Sequence, residues 1–110
     1  MIMKNVHIIT PVKDSWETTR QTIEAIALSE TTANYVYTVY NDFSTDENTA
    51  NLEQITQKYG FELLNLASVT NHPSPNYLLI LQLAQQRALA EQAHLILVES
   101  DVVVRKQTIQ

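Results

Sequence analysis

The sequence predicts an α/β domain on a parallel sheet, because four short strand-like runs alternate with three helix-like segments. Each run ends in a polar or proline-bearing loop. At 110 residues, 45% hydrophobic and 17% charged, the chain is sized for one domain with one core.

The first run, Val6–Thr10 (V-H-I-I-T), is bounded by Pro11 and suits a buried strand. Asp14 or Ser15 then offers an N-cap, with Glu17 three residues after Asp14 as in a capping box. Trp16, Thr19, Ile23, Ile26 and Ala27 follow at helical spacing. Tyr35–Tyr40 (Y-V-Y-T-V-Y), β-branched and aromatic throughout, is the plainest strand. Ser44-Thr45-Asp46-Glu47 supplies another capping box for a helix carrying Leu52, Ile55 and Tyr59, which Gly60 closes as a left-handed cap.

Phe61–Leu66 reads as the third strand. Pro73 and Pro75 make 68–76 a loop. The third helix spans Asn76 to Gln92, and the fourth strand is Leu95–Val98. The alternation implies a parallel sheet with right-handed crossovers, and the order expected is 3-2-1-4 with helices on both faces, a three-layer α/β/α arrangement. The order then reverses between strands 1 and 4, which places Pro11 and Asp101 beside one crevice.

Composition narrows the function. A net charge of −5 offers no basic surface for nucleic acid or an anionic membrane. The apolar runs are too short to span a bilayer, and Met1–Asn5 does not read as a signal peptide. The absence of cysteine excludes a disulfide scaffold and is compatible with a reducing cytoplasm. With Gly60 as the single glycine, no glycine-rich phosphate loop exists. A bound diphosphate would need its charge offset otherwise, and a metal ion is the usual means.

Ligands of a parallel α/β sheet bind at the carboxyl ends of its strands. Three of the four loops there carry carboxylates: Pro11–Asp14, Asn41–Asp46 and Glu99–Asp101. Converging acids repel one another unless a cation or hydrogen-bond donors offset them, and a hard divalent ion with oxygen ligands fits that need.

Three segments carry a family resemblance. I-I-T-P-V-K-D at Ile8–Asp14, Y-N-D-F-S-T-D at Tyr40–Asp46 and L-V-E-S-D at Leu97–Asp101 are similar, in order and strand context, to motifs of the family 2 glycosyltransferases of the GT-A fold. The resemblance covers the chain and implies the Rossmann-like, nucleotide-sugar-binding N-terminal half of such an enzyme. It implies that Pro11, Val12 and Lys13 line the pocket for the base, that Asp42 accepts a ring N–H, and that Ser44 and Asp46 shape the turn. Asp101 would be the principal metal ligand for Mn or Mg, with Glu99 touching the ribose or the metal. The donor would be a nucleoside-diphosphate sugar, with UDP favoured, and the acceptor of the parent protein a glycan or lipid-linked hydroxyl. Transfer would be metal-dependent and inverting, in the cytoplasm or at the inner face of the membrane, as in polysaccharide biosynthesis.

The family places its general base well beyond the third motif. The catalytic base is therefore expected after Gln110, the chain is read as a truncated donor-binding half without transfer activity of its own, and an unpaired apolar flank at Leu95–Val98 would favour homo-oligomers.

The chain also departs from the family. Asn41 stands for the first acid of a D-D pair, Phe43 for a glycine, Lys13 for a tyrosine and Glu99 for an aspartate. Plainer readings stay open. Asp14, Ser44 and Asp46 could be helix caps, Asp42 a carboxylate that stabilises its turn, and Glu99 and Asp101 solvated charges. His7 and His94 read as packed or surface residues, His72 as a loop residue within reach of the donor but not counted among its ligands, and Trp16 as core, with a pocket wall as the alternative. The alternative function is a non-catalytic nucleotide-binding or interaction module of the same fold.

Overall fold

The structure is a computed structural model that describes residues 5–28 and 34–99. Its elements run β1 (Asn5–Val12), α1 (Trp16–Ala27), β2 (Asn34–Asn41), α2 (Asp46–Tyr59), β3 (Glu62–Asn65), α3 (Tyr77–Ala90) and β4 (Ala93–Leu97). A 3-10 turn at Leu66–Ser68 follows β3, so Leu66 leaves the strand that the sequence assigns it to. All pairings are parallel, and the strand order is β3-β2-β1-β4, the order expected.

The central strand β1 is buried on both faces, which is why its sequence reads as a continuous run and not an alternation. Ile8 and Val12 face α1 and α2, where they pack with Ile23, Ile26, Tyr37, Val39, Leu52 and Ile55. Ile9 faces the other way, toward Tyr40, Leu66, Ile80 and Ala84 beneath α3. Thr10 is fully buried and is satisfied by the Tyr37 hydroxyl, which donates to its Oγ1 at 2.6 Å. Burial pushes the Tyr37 pKa well above that of an ordinary phenol.

Beneath α3, the Arg87 guanidinium pairs with both oxygens of Glu62 and, through Nε at 3.0 Å, with Glu91. Glu91 also reaches the buried His7 ring at 3.1 Å. The guanidinium holds both carboxyl groups below the usual range. This network ties α3 to β1 and β3 at the end of the sheet away from the ligand-binding edge.

The helix starts differ from the sequence reading. Ser15, in a left-handed conformation (φ 54°), precedes α1 and makes no side-chain cap bond. Glu17 pairs with Arg20 instead of closing a capping box. At α2 the cap is Thr45, whose hydroxyl accepts from Asn48 N at 3.2 Å, so the box opening on Ser44 does not form. Gly60 does end α2 in the left-handed region (φ 70°).

Asn48 is buried, yet among the described residues neither its Oδ1 nor its Nδ2 has a hydrogen-bond partner. A buried polar group left unpaired costs about 1–3 kcal/mol. Among the described strands β4 lies at the edge of the sheet, with Ile96 and Leu97 each 36% exposed and Val98 buried.

Candidate functional site

The register of the sheet brings the loops together. Val12, Asn41 and Asn65 are aligned at the ends of β1, β2 and β3, and the Val98 N–H donates to Ile9 O just past β4. The segments 13–15, 42–45 and 98–99 therefore leave the sheet at one edge, the carboxyl ends of the strands, where ligands of open parallel sheets bind.

The first two loops are laced to each other across 30 residues of sequence. The Asp14 N–H donates to Ser44 Oγ at 2.8 Å, and the Asp14 carboxylate accepts from Thr45 N at 2.8 Å. Lys13 donates its ammonium to the Phe43 carbonyl. Asp14 and Ser44 are thus not helix caps. Each spends its polar atoms on the neighbouring loop.

The lacing requires sharp turns: Asp14, Ser15 and Phe43 all have positive φ, at 57°, 54° and 61°. A glycine would meet that demand freely, whereas a bulky residue there pays roughly 1–2 kcal/mol. At Phe43 part of that cost is offset by packing of the ring against the Ile9–Tyr40 cluster.

Asn41, in the place of an acid, is buried and fully occupied. Its Nδ2 donates to Thr49 Oγ1 and Asn65 Oδ1, and its Oδ1 accepts from Ser44 N. It ties β2, β3 and α2 together and does not reach the crevice floor.

Asp42 is the centre of the site. It is buried at 6% exposure, and its N–H donates to Val12 O at 2.8 Å. Its carboxylate accepts three hydrogen bonds from the loop before α3. Oδ2 takes Ser74 Oγ (2.9 Å) and Asn76 N (2.8 Å), and Oδ1 takes Asn76 Nδ2 (2.8 Å). The Asn76 amide is held in turn by His72, whose carbonyl accepts from Nδ2 and whose ring lies 3.2 Å from Oδ1.

An ionised carboxylate offers about four acceptor directions. The described residues fill three, which leaves one on Oδ1. The plainer reading of Asp42, a carboxylate that holds its loops in place, describes what these bonds do; the remaining direction is what a ligand N–H could use.

Pro11, Val12, Lys13 and Asp42 line a cavity of about 230 Å³ at this edge, together with Ser74, Pro75, Tyr77 and Ile80. Four of the six residues expected to hold a nucleotide sugar therefore share one hollow. Ser44 does not line it, because its hydroxyl is spent on Asp14. Glu99 stands at its margin, with Oε1 3.4 Å from the hydroxyl of Tyr77. Desolvation and that carboxylate raise the Tyr77 pKa, which keeps the phenol a donor.

Asp101, expected to be the main metal ligand, lies outside the described residues. Among the described residues no three His, Cys, Asp or Glu side chains come together as a metal site.

The sequence reading missed Ser74, Asn76 and Tyr77. It placed 68–76 on the ligand edge as a loop but gave no side chain there a partner. The available signal was small: an asparagine just ahead of the apolar run Tyr77–Leu81. His72 holds Asn76 and does not line the cavity, and His94 is exposed on β4.

Other hollows among the described residues include one of about 310 Å³ between the starts of α1 and α2 and one of about 500 Å³ over β2 and β3 beside Arg87. The latter lies over the outer strands, away from the point between β1 and β4 where the strand order reverses, so it does not answer the topological argument for the site.

No protein-family model matches the sequence, and no curated protein matches it. Solved structures do match in shape. Staphylococcus aureus TarS 1-349 superposes with a TM-score of 0.64 at 20% identity, over 97% of this chain and 30% of that one. TarS 1-349 in complex with UDP-GlcNAc gives 0.64 at 21% identity, over 97% of this chain and 29% of that one. The structure titled S. aureus TarS gives 0.62 at 20%, over 94% and 18%.

The fold is glycosyltransferase-like. The chain spans less than a third of the length of each of these structures, and at such identity the likeness concerns the fold alone.

Proposed function

We propose that the chain binds a nucleoside-diphosphate sugar, with UDP as the favoured nucleotide, in the cavity floored by Asp42. It does so as the donor-binding part of a family 2 glycosyltransferase. The observation that carries the reading is the Asp42 carboxylate. It is fixed at the carboxyl edge by three donors, yet keeps one acceptor direction beside a hollow lined by Pro11, Val12 and Lys13. A rigid acceptor of that kind suits a ring N–H flanked by carbonyls. The shared fold with a protein crystallised with UDP-GlcNAc supports the choice of ligand class.

A divalent ion, Mn or Mg, held by Asp101 and Glu99 belongs to the same proposal. The donor set fits in its chemistry, since both residues offer hard carboxylate oxygens. When bound, the ion would offset the charge of the diphosphate, for which Lys13 is the one cationic side chain among the described residues that line the cavity. Inverting transfer to a glycan or lipid-linked hydroxyl is the activity proposed for the whole protein, in the cytoplasm or at the inner membrane face.

A second reading, a nucleotide-binding or interaction module without catalysis, is favoured by Asn41. Its side chain is used up in holding strands and helix together where the family has an acid.

Calorimetric titration with UDP, with Mn²⁺ and then in excess chelator, tests the proposal. Saturable binding that weakens in chelator, and weakens again in Asp101→Ala, is expected. No binding at millimolar UDP in the presence of Mn²⁺ would overturn it.

A further inference from the structure

We propose that Tyr77 is the stacking platform for the nucleotide base in this chain, a role that rests on the nucleotide reading above. Tyr77 opens α3, stands at the cavity that Asp42 floors, and is 43% exposed.

The other seven aromatic side chains of the chain are accounted for elsewhere. Tyr35, Tyr37, Tyr59 and Phe61 form one ring cluster on the α1–α2 face. Trp16 packs on that same core, and Tyr40 and Phe43 belong to the core under α3. None of the seven lines the cavity. Lys13, which stands where the resembled family has a tyrosine, offers no ring, and its ammonium is held by the Phe43 carbonyl. Tyr77 is the one aromatic side chain among the described residues that line the cavity.

The placement suits the task. Tyr77 immediately follows Asn76, whose backbone N–H and side chain are both fixed on Asp42, so the platform and the acceptor are set by one rigid turn. Its hydroxyl lies 3.4 Å from Glu99 Oε1, which fixes the far end of the ring. A base held in its plane by Asp42 and on its face by Tyr77 is positioned in both directions.

The test is titration of UDP and of inorganic pyrophosphate, each with Mn²⁺, into the wild-type chain and into Tyr77→Leu, Tyr77→Phe and Tyr77→Trp. Base-on-aromatic stacking predicts that Tyr77→Leu weakens UDP binding by roughly five- to a hundredfold. It also predicts that Tyr77→Leu leaves the response to pyrophosphate and the unfolding midpoint unchanged, while Tyr77→Phe and Tyr77→Trp keep UDP affinity. Unaltered UDP binding by Tyr77→Leu would overturn the proposal. A loss in Tyr77→Phe as large as in Tyr77→Leu would also overturn it, since the hydroxyl on Glu99 and not the ring would then be what matters. A wild-type chain that binds no UDP would sink this inference together with the proposed function; failure confined to the variants sinks the inference alone.

Discussion

Replacing Asp42 with alanine removes the acceptor for three donors at once, and two of them belong to Asn76, which is only 7% exposed. Ser74 is half-buried, so its hydroxyl can turn toward water and contributes little to the loss. The Asn76 N–H and Nδ2 donors cannot do so freely, although Nδ2 keeps its bond to the His72 carbonyl. One fully orphaned buried donor and one partly orphaned donor, at about 1–3 kcal/mol each, put the cost of Asp42→Ala near 3 kcal/mol. That is a large share of the roughly 5–15 kcal/mol available to a domain.

Asp42→Asn should cost less, because with its oxygen in the place of Oδ2 the amide still accepts from Ser74 and the Asn76 N–H, and its NH₂ group confronts only Asn76 Nδ2. Urea unfolding is the assay, with the midpoint shifting and the slope unchanged. Hydrogen exchange at the Asn76 amide should accelerate in step. If Asp42→Ala shifts stability by less than about 0.5 kcal/mol, the three bonds do not hold the loop and the rigid-acceptor argument fails.

Three further perturbations follow from the packing. Tyr37→Phe should cost about 1 kcal/mol at neutral pH by removing the bond to Thr10. Because burial raises the Tyr37 pKa, the wild-type chain should lose stability as pH climbs past about 10, and the variant should show a shallower alkaline slope in unfolding midpoints. Arg87→Met releases Glu62 and Glu91, whose carboxyl groups are held low in the fold. Stability that is present above pH 4.5 and falls as acid is added should therefore vary less in the variant, read as urea midpoints at successive acid pH values. Asn48→Leu replaces a buried amide that has no partner by a side chain of similar shape and should stabilise by about 1 kcal/mol; thermal destabilisation of that size would refute this account of the Asn48 environment.

The sheet was legible because its signals are local. β-branched runs end at polar loops and alternate with helical spacing, which marks a parallel sheet, and the expected order 3-2-1-4 is the one observed. The positions of Pro11, Val12, Lys13 and Asp42 on one crevice follow from that order.

What the sequence could not disclose is how short polar side chains choose among partners. Asp14 and Ser44 both carry good cap chemistry at good cap spacing, and both instead bond to each other's loop, 30 and 31 residues away. Local and long-range acceptors compete on nearly equal terms, and the turn geometry decides. Ser74, Asn76 and Tyr77 were hidden for the same reason, because their meaning lies in contacts 32, 34 and 22 residues distant. Phe43 shows the converse: the sequence departs from a glycine, yet the backbone keeps the positive φ that a glycine would serve.

The central claim is that a nucleoside diphosphate occupies the Asp42 cavity and no other hollow of the molecule. Amide chemical shifts of the isotope-labelled chain, followed as UDP is added with Mg²⁺, test it residue by residue. The account predicts saturable shifts at Val12, Lys13, Asp42, Ser74, Asn76 and Tyr77, while the amides of Thr38, Glu62 and Arg87 around the larger hollow stay still. Shifts confined to that second group, or no saturable shifts at all, would contradict it.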